Sequence, residues 1–133
     1  MRTAFIVSKI NILLVVLIIT ATALTGQARA GDLPRFFEVL YDIPVMPGLT
    51  EIPDMAMVFD KPAGRIAQAG ALGPGLTKAE IIDFYNDSLP QLGWRSQGEG
   101  TYLRDGEILR IEAQTAPSGP LVTLTLAPQS PVP

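Results

Sequence analysis

The clearest pattern of apolar and polar positions begins at Thr77. Thr77 and Glu80 stand at the spacing of a capping box, in which the threonine hydroxyl accepts the Glu80 amide and the glutamate reaches back to the Thr77 amide. At 100° per residue, one broad face after this box is apolar and the other is acidic. A helix is therefore predicted here. Pro90 is expected to bend it or end it early, and Gly93 is expected to close it, with Trp94 packing back on the last turn.

Strand-like segments lie on both sides of this helix. Before it, 55–59 and 65–71 form a predicted hairpin across a loop with proline early and glycine late. After it, alternating and β-branched segments predict a meander of short strands: 94–97, 101–104, 107–113 and 121–126. We predict an α+β fold, a small antiparallel sheet of about five strands with one main helix packed on one face, in the order β-β-α-β-β-β.

Asp105-Gly106 is a two-residue hairpin signal of type I′ within the meander. This turn sets Leu103 opposite Ile108, on the other face of the hairpin from Tyr102. If the Tyr102 face meets the helix, Leu103 and Ile108 form an exposed apolar pair near the hairpin tip, which makes them a candidate partner surface. The alternative is that the lead-in segment or the C-terminal tail covers this pair.

Three aromatic side chains form a second candidate site. Tyr85 lies on the apolar face of the predicted helix, Trp94 follows its end, and Tyr102 lies on the strand face that meets it. They are a candidate lining for a small-ligand pocket between helix and sheet. Simple core packing is the alternative, and it is the more usual role of aromatic residues in such positions.

The first thirty residues have the pattern of a secretory signal peptide. Arg2 and Lys9 precede an apolar stretch, and Ala28-Arg29-Ala30 predicts cleavage before Gly31. The alternative is an uncleaved anchor, although the apolar stretch is short for a membrane span. The sequence therefore predicts a periplasmic or secreted protein, with membrane attachment only if the leader is retained.

Prolines and composition divide the remaining chain into three parts. Residues 31–54 are predicted to be a proline-rich lead-in with a short helix at Pro34 to Leu40. Residues 55–127 are predicted to be the α+β domain. Residues 128–133 are predicted to be a disordered tail, because they are too rich in proline to pack.

Composition removes several kinds of chemistry. The chain has no cysteine and no histidine, so Ser-His-Asp and Cys-His catalysis and the usual zinc ligand sets are excluded. No cofactor, metal site or catalytic residue is predicted. With the leader removed, seven basic residues stand against thirteen acidic ones, a net charge of −6. This sign argues against nucleic acid as a partner and fits a self-repelling monomer.

Short motifs carry one resemblance. Pro44-x-x-Pro47-Gly48, Phe84-Tyr85 and Leu89-x-x-Leu92-Gly93-Trp94 together resemble small exported proteobacterial proteins with no assigned activity. The resemblance covers roughly residues 42–127. It implies secretion and a small α+β domain, and it supplies no catalytic residue.

The hypothesis that follows is an exported, non-catalytic interaction or adaptor domain with a protein partner in the cell envelope. The alternative is a small-ligand-binding domain that uses the aromatic residues. A carboxylate-based hydrolase of the cell envelope is the third hypothesis, because a pair of carboxylates can cleave glycosidic bonds without histidine or cysteine.

Overall fold

In the computed structural model, which describes residues 33–130, the helix begins where the capping box predicts. Helix α1 spans Lys78–Ser88, the Glu80 amide donates to Thr77 Oγ1 (3.2 Å), and the Thr77 amide donates to Glu80 Oε2 (2.7 Å). A 3-10 turn, Leu89–Leu92, follows and contains Pro90. Gly93 closes it in the left-handed conformation (φ +88°), and the Trp94 amide donates to the Leu89 carbonyl. The predicted start, proline interruption and glycine stop are confirmed.

The predicted α+β class is confirmed, and the described residues form a sheet of seven strands rather than about five. All pairs are antiparallel, in the order β1-β3-β7-β6-β5-β4, with β2 also paired to β3. All four segments predicted after the helix form strands, and the strand that the sequence did not predict is the short β1. The bounds are β1 Thr50–Glu51, β2 Met57–Lys61, β3 Gly64–Leu72, β4 Arg95–Gly98, β5 Thr101–Arg104, β6 Glu107–Ala116 and β7 Gly119–Pro128.

One face of the sheet, here called the covered face, lies under α1 and the lead-in. Along β3, Ala67, Ala69 and Ala71 are fully buried, and their small side chains let the overlying segments come close. The buried residues of the described chain are all apolar or aromatic. Burial of each large side chain contributes about 1.5–3 kcal/mol. The largest buried side chains are those of Phe37, Leu40, Ile43, Leu49, Ile81, Tyr85, Leu89, Trp94, Tyr102, Leu109, Ile111 and Leu124.

The short helix predicted at 34–40 is wrong. Phe36 instead makes an isolated antiparallel bridge with Pro44, and the Phe37 amide donates to the Ile43 carbonyl (3.1 Å). The backbone donors therefore pair across a turn instead of along a helix. This loop buries Phe37, Leu40 and Ile43 almost completely, and that burial outweighs the helix-start signal of Asp32 and Pro34.

The lead-in is part of the domain, which corrects the predicted boundary at residue 55. Arg65 donates to the Val39 carbonyl (2.9 Å), and Arg104 forms an ion pair with Asp42. The described residues from Pro34 onwards belong to one compact unit. Burial of lead-in side chains and the bonds from these two arginines fix residues 34–49 on the covered face.

The tail begins later than predicted. Strand β7 continues to Pro128, which pairs with Glu107, and the Gln129 amide donates to the Gly106 carbonyl (2.7 Å). The remaining tail residues 131–133 and the predicted leader 1–30 lie outside the described residues. Within the described part of the chain, α1 is too short and too polar to cross a membrane.

Candidate functional site

The three aromatic residues predicted as a ligand pocket lie together in the core. Tyr85, Trp94 and Tyr102 are each at most 1% exposed. The Tyr85 hydroxyl donates to the Pro44 carbonyl (3.0 Å), and the Tyr102 hydroxyl donates to Asn86 Oδ1 (2.8 Å). Burial raises the pKa of both tyrosines above the ordinary value. These side chains fill the space between helix and sheet and act as core, so the packing alternative is the one that the geometry supports.

Arg104 joins this core to the lead-in. Its guanidinium lies 4.1 Å from the Trp94 ring centroid, donates to the Leu92 carbonyl (3.1 Å), and forms the ion pair with Asp42. A planar guanidinium can stack on an aromatic ring and bond at its rim at the same time. Arg104 is therefore a structural clamp over the end of the helix.

A cleft of about 440 Å³ lies beside α1, next to the β4–β5 turn. Its apolar floor includes Ile82 and Ile111, and its rim includes Lys78, Glu99 and Glu112. Glu99 has a positive φ of 50°, which is uncommon for a residue with a side chain. Among the residues that the structure describes, no cluster of three or more acidic side chains could hold a metal ion.

The face of the sheet opposite α1, here called the open face, carries the predicted apolar pair. Leu103 pairs directly with Ile108, and their neighbours Tyr102 and Leu109 point to the covered face, as the type I′ turn predicts. Both Leu103 and Ile108 are half-buried. Residues 34–49 of the lead-in lie on the covered face, and the turn Pro53–Met55 lies over Gly70, so the lead-in does not cover this pair. Of the tail, Gln129 and Ser130 line a groove together with Ile108.

The pair belongs to a longer feature, here called the apolar row, which runs across five strands. Ile108 pairs with Ala127 of β7, and Phe59 of β2 pairs with Ile66 of β3. Continuing the β3–β7 register by one residue brings Ile66 beside Ala127. Phe59 is 53% exposed, and the rest of the row is half-buried. In spatial order the row is Phe59, Ile66, Ala127, Ile108 and Leu103.

The charges around the apolar row differ in sign from the rest of the domain. Alternation along the strands places Lys61, Arg95 and Arg110 on the open face, Glu112 is the only acid that the described strands place there, and all four are exposed. Residues 33–130 contain seven basic and twelve acidic residues, so four basic and eleven acidic ones lie outside these strand positions, with Asp54 in the turn over Gly70. The open face is therefore basic in an acidic protein.

Two further features shape the open face. A groove of about 450 Å³ is lined by Ile108 and Arg110 together with Pro128, Gln129 and Ser130. At the opposite end of the face, the 3-10 turn Pro53–Met55 lays the Met55 side chain over Gly70. The apolar row thus lies at the uncovered end, beside a groove.

No protein-family model, curated protein or solved structure matches this chain. The resemblance to small exported proteobacterial proteins therefore stays a prediction.

Sequence reasoning identified two members of the apolar row and missed three. The Asp105-Gly106 turn fixes the Leu103–Ile108 pair locally, and the structure places these residues as that turn requires. Phe59, Ile66 and Ala127 join the row only through the β3–β7 pairing. That pairing connects distant parts of the chain, and no local pattern in the sequence predicts it.

Proposed function

We propose that this protein is an exported, non-catalytic interaction domain that binds a protein partner of the cell envelope through its open face. The observation that carries the proposal is the apolar row, which extends across five strands on the face of the sheet opposite α1. Contiguous apolar surface with a polar rim is typical of protein interaction sites.

The charge pattern supports a specific kind of partner. Lys61, Arg95 and Arg110 surround the row, whereas acids predominate on the remainder of the described residues. Electrostatic complementarity favours encounter with a surface of opposite sign and disfavours like-charged ones. The partner surface is therefore apolar at its centre and acidic at its rim.

Two further observations favour binding by a surface over the alternatives. Tyr85, Trp94 and Tyr102 are packed core, so they offer no open ligand pocket. Glu99 and Glu112 both border a cleft, but alternation along β6 turns the Glu112 side chain to the open face, and the same cleft also contains Lys78. A glycosidase needs two acids held across a substrate groove in distinct environments, and neither glutamate has the burial that would separate their roles.

The first test removes the apolar pair. The full-length protein, expressed with its own leader and a C-terminal tag, is crosslinked in intact cells and captured. The variant Leu103→Ser/Ile108→Ser is expected to lose a partner that the unmodified protein captures reproducibly. The matched control is Phe36→Ser/Leu92→Ser, which removes two exposed apolar side chains away from the open face. Equal capture by both variants would contradict the proposal, provided that thermal unfolding shows both to be folded.

The second test reverses charge. Arg110→Glu is expected to weaken capture of the same partner, since it places an acid against an acidic rim. Lys78→Glu reverses a cation on α1 and is expected to leave capture unchanged. Higher salt should weaken capture of the unmodified protein, because exposed charges are screened.

Export is tested separately by the intact mass of the protein recovered from periplasmic and membrane fractions. A periplasmic species that begins at Gly31 is expected. An uncleaved species confined to the membrane fraction would contradict cleavage and would direct the search for partners to the membrane.

A further inference from the structure

The two edges of the sheet differ in how they resist pairing with another strand. β4 forms one edge, and its register with β5 is interrupted between Ser96 and Gly98. Its exposed residues are polar or glycine. A bulge and polar side chains are common means of blocking an edge strand. β2 lies at the other edge and pairs with β3 over five residues without interruption.

The edge at β2 is also apolar. All five residues of β2 are exposed, and Met57, Val58 and Phe59 are 43%, 44% and 53% exposed. They make up three of the seven large apolar side chains left exposed in the described residues. An uninterrupted apolar edge strand is a template for pairing with another strand.

We propose that β2 pairs with β2 of a second copy of this chain, antiparallel and about a two-fold axis at Phe59, so that one sheet continues through both molecules. In this register Phe59 lies opposite Phe59, Val58 opposite Asp60, and Met57 opposite Lys61. Two-fold registers centred on Asp60 or on Lys61 would instead set like charges directly opposite each other, which is unfavourable.

Local charge makes the second copy an acceptable occupant despite the net charge of −6. Asp60 and Lys61 leave β2 neutral, and Arg65 is the residue opposite Asp60 in the register of its own hairpin. Phe59 is also the end of the apolar row, so pairing at this residue joins the two rows into one surface on the same side of the extended sheet. Pro62 follows β2 directly and limits the overlap to the strand itself.

Sedimentation of the full chain, purified as the cell processes it, tests the proposal. A small interface of two short strands gives a weak equilibrium, so the dimer fraction is expected to rise with protein concentration. Val58→Lys places a charge at the paired edge and is expected to shift the protein to monomer at every concentration. Ser96→Lys makes the corresponding change at the β4 edge and is expected to sediment like the unmodified protein. A monomer at all concentrations, or a dimer that Val58→Lys leaves intact, would overturn the proposal.

Disulfide trapping tests the register, and the absence of native cysteine makes the result unambiguous. Phe59→Cys places two thiols opposite each other across the two-fold axis, within reach of a disulfide. It is expected to form a covalent dimer under oxidising conditions, whereas Lys61→Cys, which faces Met57, is expected to remain largely monomeric. Equal yields from both variants would overturn the register. Sedimentation does not depend on the envelope partner, so failure here and failure of partner capture are separate results.

Discussion

The contact between Met55 and Gly70 tests whether the turn Pro53–Met55 packs on one end of the open face. A Cβ added at Gly70 would lie 2.5 Å from Met55 Sδ and 2.7 Å from Met55 Cβ. Gly70 has no positive φ, so the backbone itself accepts alanine. Gly70→Ala must therefore push Met55 and the turn Pro53–Met55 away from the sheet, an overpacking that typically costs about 1–3 kcal/mol. In a domain of this size each kcal/mol lowers Tm by about 4–8 °C.

A double-mutant cycle separates this clash from a general loss of strand stability. Met55→Ala alone truncates a half-buried side chain. It is expected to lower the free energy of unfolding by less than the truncation of a fully buried core residue would. Gly70→Ala/Met55→Ala removes the clash with Met55 Sδ and leaves only the contact between the two Cβ atoms, so the combined cost should be smaller than the sum of the two single costs by about 0.5–3 kcal/mol. Urea unfolding followed by fluorescence of Trp94, the only tryptophan, measures all three. Additive costs would refute the contact.

Three further predictions concern single sites. Thr77→Ala removes the acceptor for the Glu80 amide and is expected to cost about 1 kcal/mol in urea unfolding. Bonds from Thr77 hold the pKa of Glu80 below its usual value, so this stabilisation is present at neutral pH and lost as pH falls through that lowered pKa; the variant should lose stability less steeply in acid. Burial raises the pKa of Tyr85 and Tyr102, so their contribution to stability is fully present below the ordinary tyrosine pKa and is lost as pH rises above it. Ionisation of the two tyrosines, followed by tyrosinate absorbance, should coincide with unfolding. Ionisation before unfolding would contradict their burial. Glu99→Asn relieves a positive φ in a hairpin turn and is expected to raise stability by about 0.5 kcal/mol; a lower Tm would argue against strain there.

The parts of the fold that follow from local chemistry were predictable from the sequence. The capping box at Thr77 and Glu80 needs only residues three apart, and it forms as predicted. The Asp105-Gly106 turn likewise needs only two residues, whose φ values of 49° and 78° match the left-handed conformations that a type I′ turn requires. Signals of this kind remain valid because the surrounding fold does not compete with them.

The lead-in was not predictable in the same way. A cap and a proline suggest a helix at Pro34, but Phe37 and Ile43 gain more from burial against the sheet than a short helix would provide. The candidate site shows the same limit. The pair Leu103 and Ile108 follows from a turn, whereas Phe59 becomes their neighbour in the row only after β3 and β7 pair. Buried aromatic residues such as Tyr85 give no sequence signal that separates a pocket from a core.

The most direct test of the central claim is photo-crosslinking from single positions in living cells. A photoreactive side chain at Ile108 lies on the open face, and one at Asp83 lies on the exposed side of α1. The open-face account predicts a discrete crosslinked partner from Ile108 and none from Asp83. Crosslinks from Asp83 with none from Ile108 would place the interaction on the helix and contradict the account.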